Sequence, residues 1–181
     1  MERYTGNWNS VNTHTVPKWY EDCKFGIFIH WGIYSVPAFA PHTWELGEVD
    51  SKEWFADNPY AEWYYNSLNI GKGPTYEHHM EKYGKDFKYE DFIPMWKAEN
   101  WDPKQWAEIF KEAGAEYVVL TTKHHDGFCL FPSKYTHFNS VEMGPKRNIT
   151  GELTEAVRDA GIRMGLYYSG LIDWQYANDP I

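Results

Sequence analysis

Tyr117-Val-Val-Leu-Thr-Thr-Lys-His-His-Asp-Gly-Phe128 is an apolar run that ends in polar and aromatic residues. It looks like a buried parallel strand whose C-terminal end carries the reactive side chains. Just upstream, Asp102 caps and Pro103 opens a helix. Its apolar positions Trp106, Ile109, Phe110 and Ala113 make one stripe, and Gly114 ends it. The order recurs after roughly 45 residues. Leu153, Ala156, Val157 and Ala160 form a stripe, Gly161 stops the helix, and Arg163-Met-Gly-Leu-Tyr-Tyr-Ser-Gly170 supplies another strand. Helix, glycine and strand repeated in this way describe βαβ units of a parallel sheet.

A third run, Phe25-Gly-Ile-Phe-Ile-His-Trp-Gly32, precedes both; from Phe25 to Ile29 it is apolar apart from one Gly and does not alternate, as expected of a strand covered on both faces. All three carry their reactive side chains at the C-terminal end, the arrangement by which a (β/α)8 barrel presents a site, although closure needs about eight strands. The fold expected is α/β: an incomplete (β/α)8-type barrel with about three parallel strands and a long helical insertion after strand 1. Residues 1–181 are expected to form a single partial domain that stops before a fourth strand. Within the insertion, Asn58-Pro59 predicts a helix over Tyr60 to Leu68, and Tyr89 to Ala98 predicts a second, shorter one.

Composition narrows the partners. Aromatic residues make up 19% of the chain, with ten Trp and fourteen Tyr, which suits a protein that stacks on something flat. Net charge is −9 with no Lys/Arg-rich stretch, so nucleic acid and anionic membranes are poor partners and a neutral ligand fits better. Cys23 and Cys129 are far apart and give no disulfide framework or zinc spacing. No leader-like apolar stretch opens the sequence and no window is long enough to span a membrane, so a cytoplasmic protein is expected, or a secreted one if a leader was removed.

The strand ends bring His30, His124, His125 and Tyr167, and the insertion brings Glu62 beside Trp63. Adjacent residues on a strand face opposite ways, so His124 and His125 are a poor pair for one metal, and no metal or cofactor is expected. A barrel metal hydrolase is therefore the weakest reading. His78-His79, in polar surroundings beside Glu77 and Glu81, reads as a solvated helix face. Imidazole, carboxylate and phenol groups that hydrogen-bond hydroxyls, together with flat rings for the C–H side of a pyranose, describe a carbohydrate site.

Four stretches, Phe25–Pro37 (FGIFIHWGIYSVP), Glu62-Trp-Tyr64, Thr122–Phe128 (TKHHDGF) and Gly165–Gly170 (GLYYSG), resemble the α-L-fucosidases of glycoside hydrolase family 29. The resemblance implies that His30, Glu62, His124, His125 and Tyr167 hydrogen-bond fucose, and that Phe28, Tyr60 and Trp63 give it an apolar wall. It also implies a retaining mechanism with an Asp nucleophile on a fourth strand and a later Glu acid/base. The sequence has no counterpart of either, so no catalytic residue is identifiable. Asp173 lies after strand 3 and is not that nucleophile.

The expected ligand is a fucosylated glycan or fucoside. A three-strand sheet would leave its edge and inner face bare, so a homo-oligomer or a complementary C-terminal chain is expected to cover them. Two functions compete. One is a fucosidase that works only in an assembly, drawing on two of Glu45, Glu48, Glu62, Asp126 and Asp173. The other is an inactive fucose-binding fragment.

Overall fold

The computed structural model describes residues 4–42, 48 and 53–176. Two short helices, α1 (Trp8–Val11) and α2 (Lys18–Asp22), lead into β1 (Gly26–Ile29). The insertion then contributes α3 (Tyr64–Ile70) and α4 (Pro74–Lys82), and α5 (Pro103–Glu112), β2 (Tyr117–Lys123), α6 (Ile149–Asp159) and β3 (Arg163–Tyr168) complete the order. The three strands make one parallel sheet in the order β1-β2-β3, with Ile27, Val118 and Met164 in register.

The expected βαβ units are present. Asp102 accepts hydrogen bonds from the backbone N–H of Lys104 and Gln105, with Pro103 in the first turn of α5. Such a cap is worth about 1 kcal/mol. Asn148 does the same for α6 through the N–H of Gly151. Gly114 and Gly161 take the left-handed conformation just beyond each helix, with φ of 82° and 81°, where a side chain would be strained. Ala107 and Phe110 of α5 and Leu153 and Val157 of α6 close over Val118 and Leu120, both fully buried, on one face of the sheet.

The lack of alternation over residues 25–29 predicts a strand covered on both faces, and β1 is not. Only β2 is largely buried: Phe28 of β1, level with Val119 on the uncovered face, is 52% exposed, and Leu166 of β3, level with Leu120 on the helix-covered face, is 54% exposed. The cause is position: β1 and β3 are the two edges, and α5 and α6 cover a single face. On the uncovered face Tyr117 lies over Gly26 so closely that a Cβ there would come within 2.1 Å of the ring. Beside it, an open concavity of about 960 Å³ is bounded by Trp19 and Tyr20 of α2 together with Phe28, Tyr117, Val119 and Gly165.

The insertion departs from its predicted boundaries. Instead of a helix from Tyr60, a 3-10 turn over Ala61–Trp63 precedes α3. Asn58 caps only locally: its Oδ1 accepts from the N–H of Tyr60, which is extended. The stretch predicted as a helix over 89–98 is a 3-10 helix, Tyr89–Met95. Pro94 inside it cannot donate, and Ala98 has a φ of 49°, so no α-helix continues there.

Candidate active site

The C-terminal ends of the strands gather the predicted residues into one row. Tyr167 of β3 contacts Phe28 of β1 at a ring-centroid distance of 5.7 Å, and Phe28 contacts His30 at 5.1 Å. His30 meets His124 at 5.3 Å, His124 meets His125 at 4.2 Å, and His125 meets Trp63 at 5.4 Å. Parallel register explains the convergence: β1 ends at Ile29 opposite Leu120, and the next β2 residue, Thr121, pairs with Tyr167. Residues about 90 positions apart become neighbours because β1 pairs directly with β2.

Phe28 and Trp63 bracket the imidazoles from opposite ends and do not form one continuous wall. Trp63 is extended outward by Phe55, stacked at 5.4 Å. Tyr60 stands apart: it is 41% exposed, and no ring contact joins it to the row among the described residues. Glu62 is half-buried, and its charge acts on buried Tyr34, whose ring is 5.8 Å from His124.

The two strand-end histidines are neutral near pH 7. Burial, followed by the charges of His125, His30 and Lys123, lowers the pKa of His124 to about 3. Burial, Lys123 and His30 also lower that of His125. Neutral imidazole both donates and accepts, which suits hydroxyl recognition. His125 Nδ1 lies 2.6 Å from Ser169 Oγ, while Nδ1 of His124 is buried without a partner among the described residues.

Beneath the row two carboxylates are already engaged. Asp126 is buried, accepts from Tyr89 OH at 2.8 Å and from the N–H of Phe128 at 3.2 Å, and is raised by burial to a pKa of about 6 despite those bonds. Asp173 pairs with Lys123 Nζ at 2.9 Å. Glu48 lies on an exposed position, and Glu45 lies outside the described residues. Among the described residues no group of three or more His, Cys, Asp or Glu is placed to hold a metal ion.

His79 does not lie on a solvated helix face. It is fully buried, with Nδ1 2.8 Å from Tyr64 OH and Nε2 2.8 Å from the carbonyl oxygen of Phe87. The face of α4 that carries it packs on α3, which a local reading of α4 cannot reveal. His78 is stacked on Phe39 at 3.7 Å.

Three contributors were not anticipated. Trp174 packs on His125 at 5.3 Å and on Trp63 at 5.2 Å, and its N–H donates to the His125 carbonyl. Ser169 and Lys123 hold the same loop. Only the abundance of Trp hinted at the first; the other two depend on tertiary contacts.

The family model for alpha-L-fucosidase matches residues 1–179. The alpha-L-fucosidase of Dictyostelium discoideum is 42% identical over 177 residues, which cover 96% of this chain and 35% of the relative. A solved alpha-L-fucosidase structure matches with a TM-score of 0.94 at 59% identity, over 99% of this chain and 40% of the other. The Thermotoga maritima alpha-fucosidase in complex with fucose matches with a TM-score of 0.88 at 56% identity, again over 99% and 40%. The chain belongs to the α-L-fucosidase family of glycoside hydrolases. It spans about a third of the length of the curated relatives it matches. Among the described residues no helix is long and apolar enough to cross a membrane.

Proposed function

We propose that this chain is the fucose-recognising part of a retaining α-L-fucosidase, built as the first three strands of a (β/α)8-type barrel in one partial domain. The observation that carries this reading is the unbroken row from Tyr167 through Phe28, His30, His124 and His125 to Trp63. The imidazoles of His30, His124 and His125, with Glu62 and Tyr167, take the hydroxyls and ring oxygen of fucose. Phe28 and Trp63 take its apolar faces, and Tyr60 serves at the rim. The ligand in the cell is a fucosylated glycan or fucoside.

Retaining hydrolysis requires two carboxyl groups about 5–5.5 Å apart, one free to attack and one to shuttle a proton. Asp126 and Asp173 are bound to Tyr89 and Lys123, which speaks against recruiting either locally. In this reading Glu62 is spent on fucose, and the bond-breaking pair comes from a complementary polypeptide segment. That segment would also cover the open concavity and the free sheet edges; a second copy of the chain could cover them but brings no new carboxylate chemistry.

The same engagement of Asp126 and Asp173 favours one second reading, a fucose-binding fragment that does not hydrolyse. Isothermal calorimetry with L-fucose and release of nitrophenol from an aryl fucoside, measured on one sample of known mass, test both. Fucose binding without turnover is expected of the chain alone, and turnover is expected once the complementary segment is added. No fucose binding sinks the recognition reading, and turnover by the chain alone sinks the requirement for a second segment.

A further inference from the structure

We infer that Ser169 fixes the ring tautomer of His125, so that His125 meets a ligand hydroxyl as an acceptor through Nε2. Ser169 Oγ lies 2.6 Å from His125 Nδ1 and 3.1 Å from the carbonyl oxygen of Ile172. A carbonyl oxygen only accepts, whereas an imidazole nitrogen can do either. One arrangement satisfies both contacts: the single hydroxyl proton goes to Ile172, and the Oγ lone pair faces a protonated Nδ1. A neutral imidazole carries one N–H, so Nε2 keeps its lone pair.

The surroundings hold this arrangement in place. Ser169 is 4% exposed, so water does not compete for its hydroxyl. Lys123 Nζ donates to the backbone carbonyl of Ser169 at 3.0 Å and pairs with Asp173 at 2.9 Å. From the other side, the N–H of Trp174 donates to the carbonyl of His125 at 2.7 Å. The segment from Ser169 to Trp174 is thus fastened to the end of β2 at both of its ends. The His125 ring itself sits against Trp63 and Trp174, at 5.4 and 5.3 Å. Burial and the nearby Lys123 keep the ring neutral, which the tautomer requires. Ser169 is a positioning residue, and its consequence is a rule about the ligand: the group that meets His125 must carry a proton to donate.

The identity of the ligand rests on the proposed fucose site, but the tautomer does not, and the test separates the two. Ring-15N NMR of the unliganded chain near pH 7 reads the tautomer directly, with the His125 signals assigned by their loss in His125→Asn. The proton is expected on Nδ1 in the wild-type chain and in Ser169→Thr. In Ser169→Ala the ring is expected to shift towards the Nε2–H form. A wild-type ring protonated on Nε2 overturns the inference whatever the variants do, including a Ser169→Ala that fails to fold. An unchanged tautomer in folded Ser169→Ala overturns the role of Ser169. L-Fucose affinity is expected to fall about three- to tenfold in Ser169→Ala, the scale of one hydrogen bond, and to recover in Ser169→Thr. Unchanged affinity with a switched tautomer overturns the acceptor role. A wild-type chain that binds no fucose sinks the proposed site while the ring spectra still decide the tautomer.

Discussion

The chain contains two adjacent histidine pairs, His78-His79 on α4 and His124-His125 at the end of β2, and they have opposite fates. In the first pair, His79 spends both ring nitrogens inside the protein, on Tyr64 and Phe87. In the second, Ser169 engages one nitrogen of His125, and neither ring nitrogen of His124 has a protein partner among the described residues. Burial does not separate them, since His79 and His124 are both buried. What separates them is whether the fold consumes the hydrogen-bonding capacity of the ring. A histidine with two internal partners is part of the architecture; one with capacity left is available to a ligand.

The largest effect should come from the architectural ring. His79→Ala removes two buried hydrogen bonds and a ring that contacts Tyr64, Tyr83, Phe87 and Phe92. Lost packing together with stranded partners should lower stability by about 3 kcal/mol, visible as a lower urea midpoint. The folded fraction should still bind fucose as before. A variant with full stability and weak binding would erase the distinction between the pairs.

The opposite pattern is expected at the other pair. His125→Ala or His30→Ala should weaken fucose binding by about 1–3 kcal/mol in calorimetry, with little change in the melting midpoint. Each imidazole retains a nitrogen without a hydrogen-bond partner among the described residues, so its removal strands little inside the protein. Loss of stability comparable to that of His79→Ala, with binding intact, would move these residues to the architectural class.

The sheet and its two βαβ units were legible because their signals are local: a cap, a stripe of apolar residues three and four apart, a terminating glycine, then a strand-like run. The row of site residues was legible in part, because parallel pairing brings the C-terminal ends of the strands to one side of the sheet. The burial of His79 was not, since it depends on α4 packing against α3 and on the carbonyl of a residue in the following loop. Nor were the Tyr89–Asp126 bond and the Lys123–Asp173 pair, which join residues 37 and 50 positions apart with no pattern between them. Helix boundaries in the insertion failed for a related reason: Asn58-Pro59 carries a start signal, but the chain must first run extended through Tyr60 to present Glu62 and Trp63.

A pH experiment sharpens the contrast within the strand-end cluster. As pH falls below about 6.5 the unfolded chain protonates His124, while the folded chain does so only near 3, so this group makes stability fall with acidification between those values. Asp126 acts in the reverse sense. Its folded pKa of about 6 against an ordinary value of 3.8 means that the folded chain keeps a proton the unfolded chain has lost, and stability declines as pH rises across that window. The two contributions oppose each other between about pH 4 and 6. Asp126→Asn removes one of them, so its stability should rise with pH more steeply than that of the wild type, by up to about 1.4 kcal/mol per pH unit. Groups common to both proteins cancel in the comparison. Parallel urea midpoints across this range would show that the carboxyl ionises as it does in water.

The smallest effect tests the comparison at its least obvious member. The polar neighbours of His78 suggest a residue that can be removed without consequence, yet its ring lies flat on Phe39, and that contact ties α4 to the segment that follows β1. A stacked pair of this kind contributes about 0.5–1.5 kcal/mol. His78→Ala should therefore lower the urea midpoint slightly and leave fucose affinity unchanged, whereas His78→Phe, which keeps a flat ring, should restore the midpoint. Charge cannot account for such a result: burial and Lys82 hold the pKa of His78 below its usual value, so the ring is neutral at pH 7 and Phe preserves both its shape and its lack of charge. If His78→Phe were as unstable as His78→Ala, the ring nitrogens would matter more than the stacking. His78 would then join His79 as a hydrogen-bonded member of the architecture.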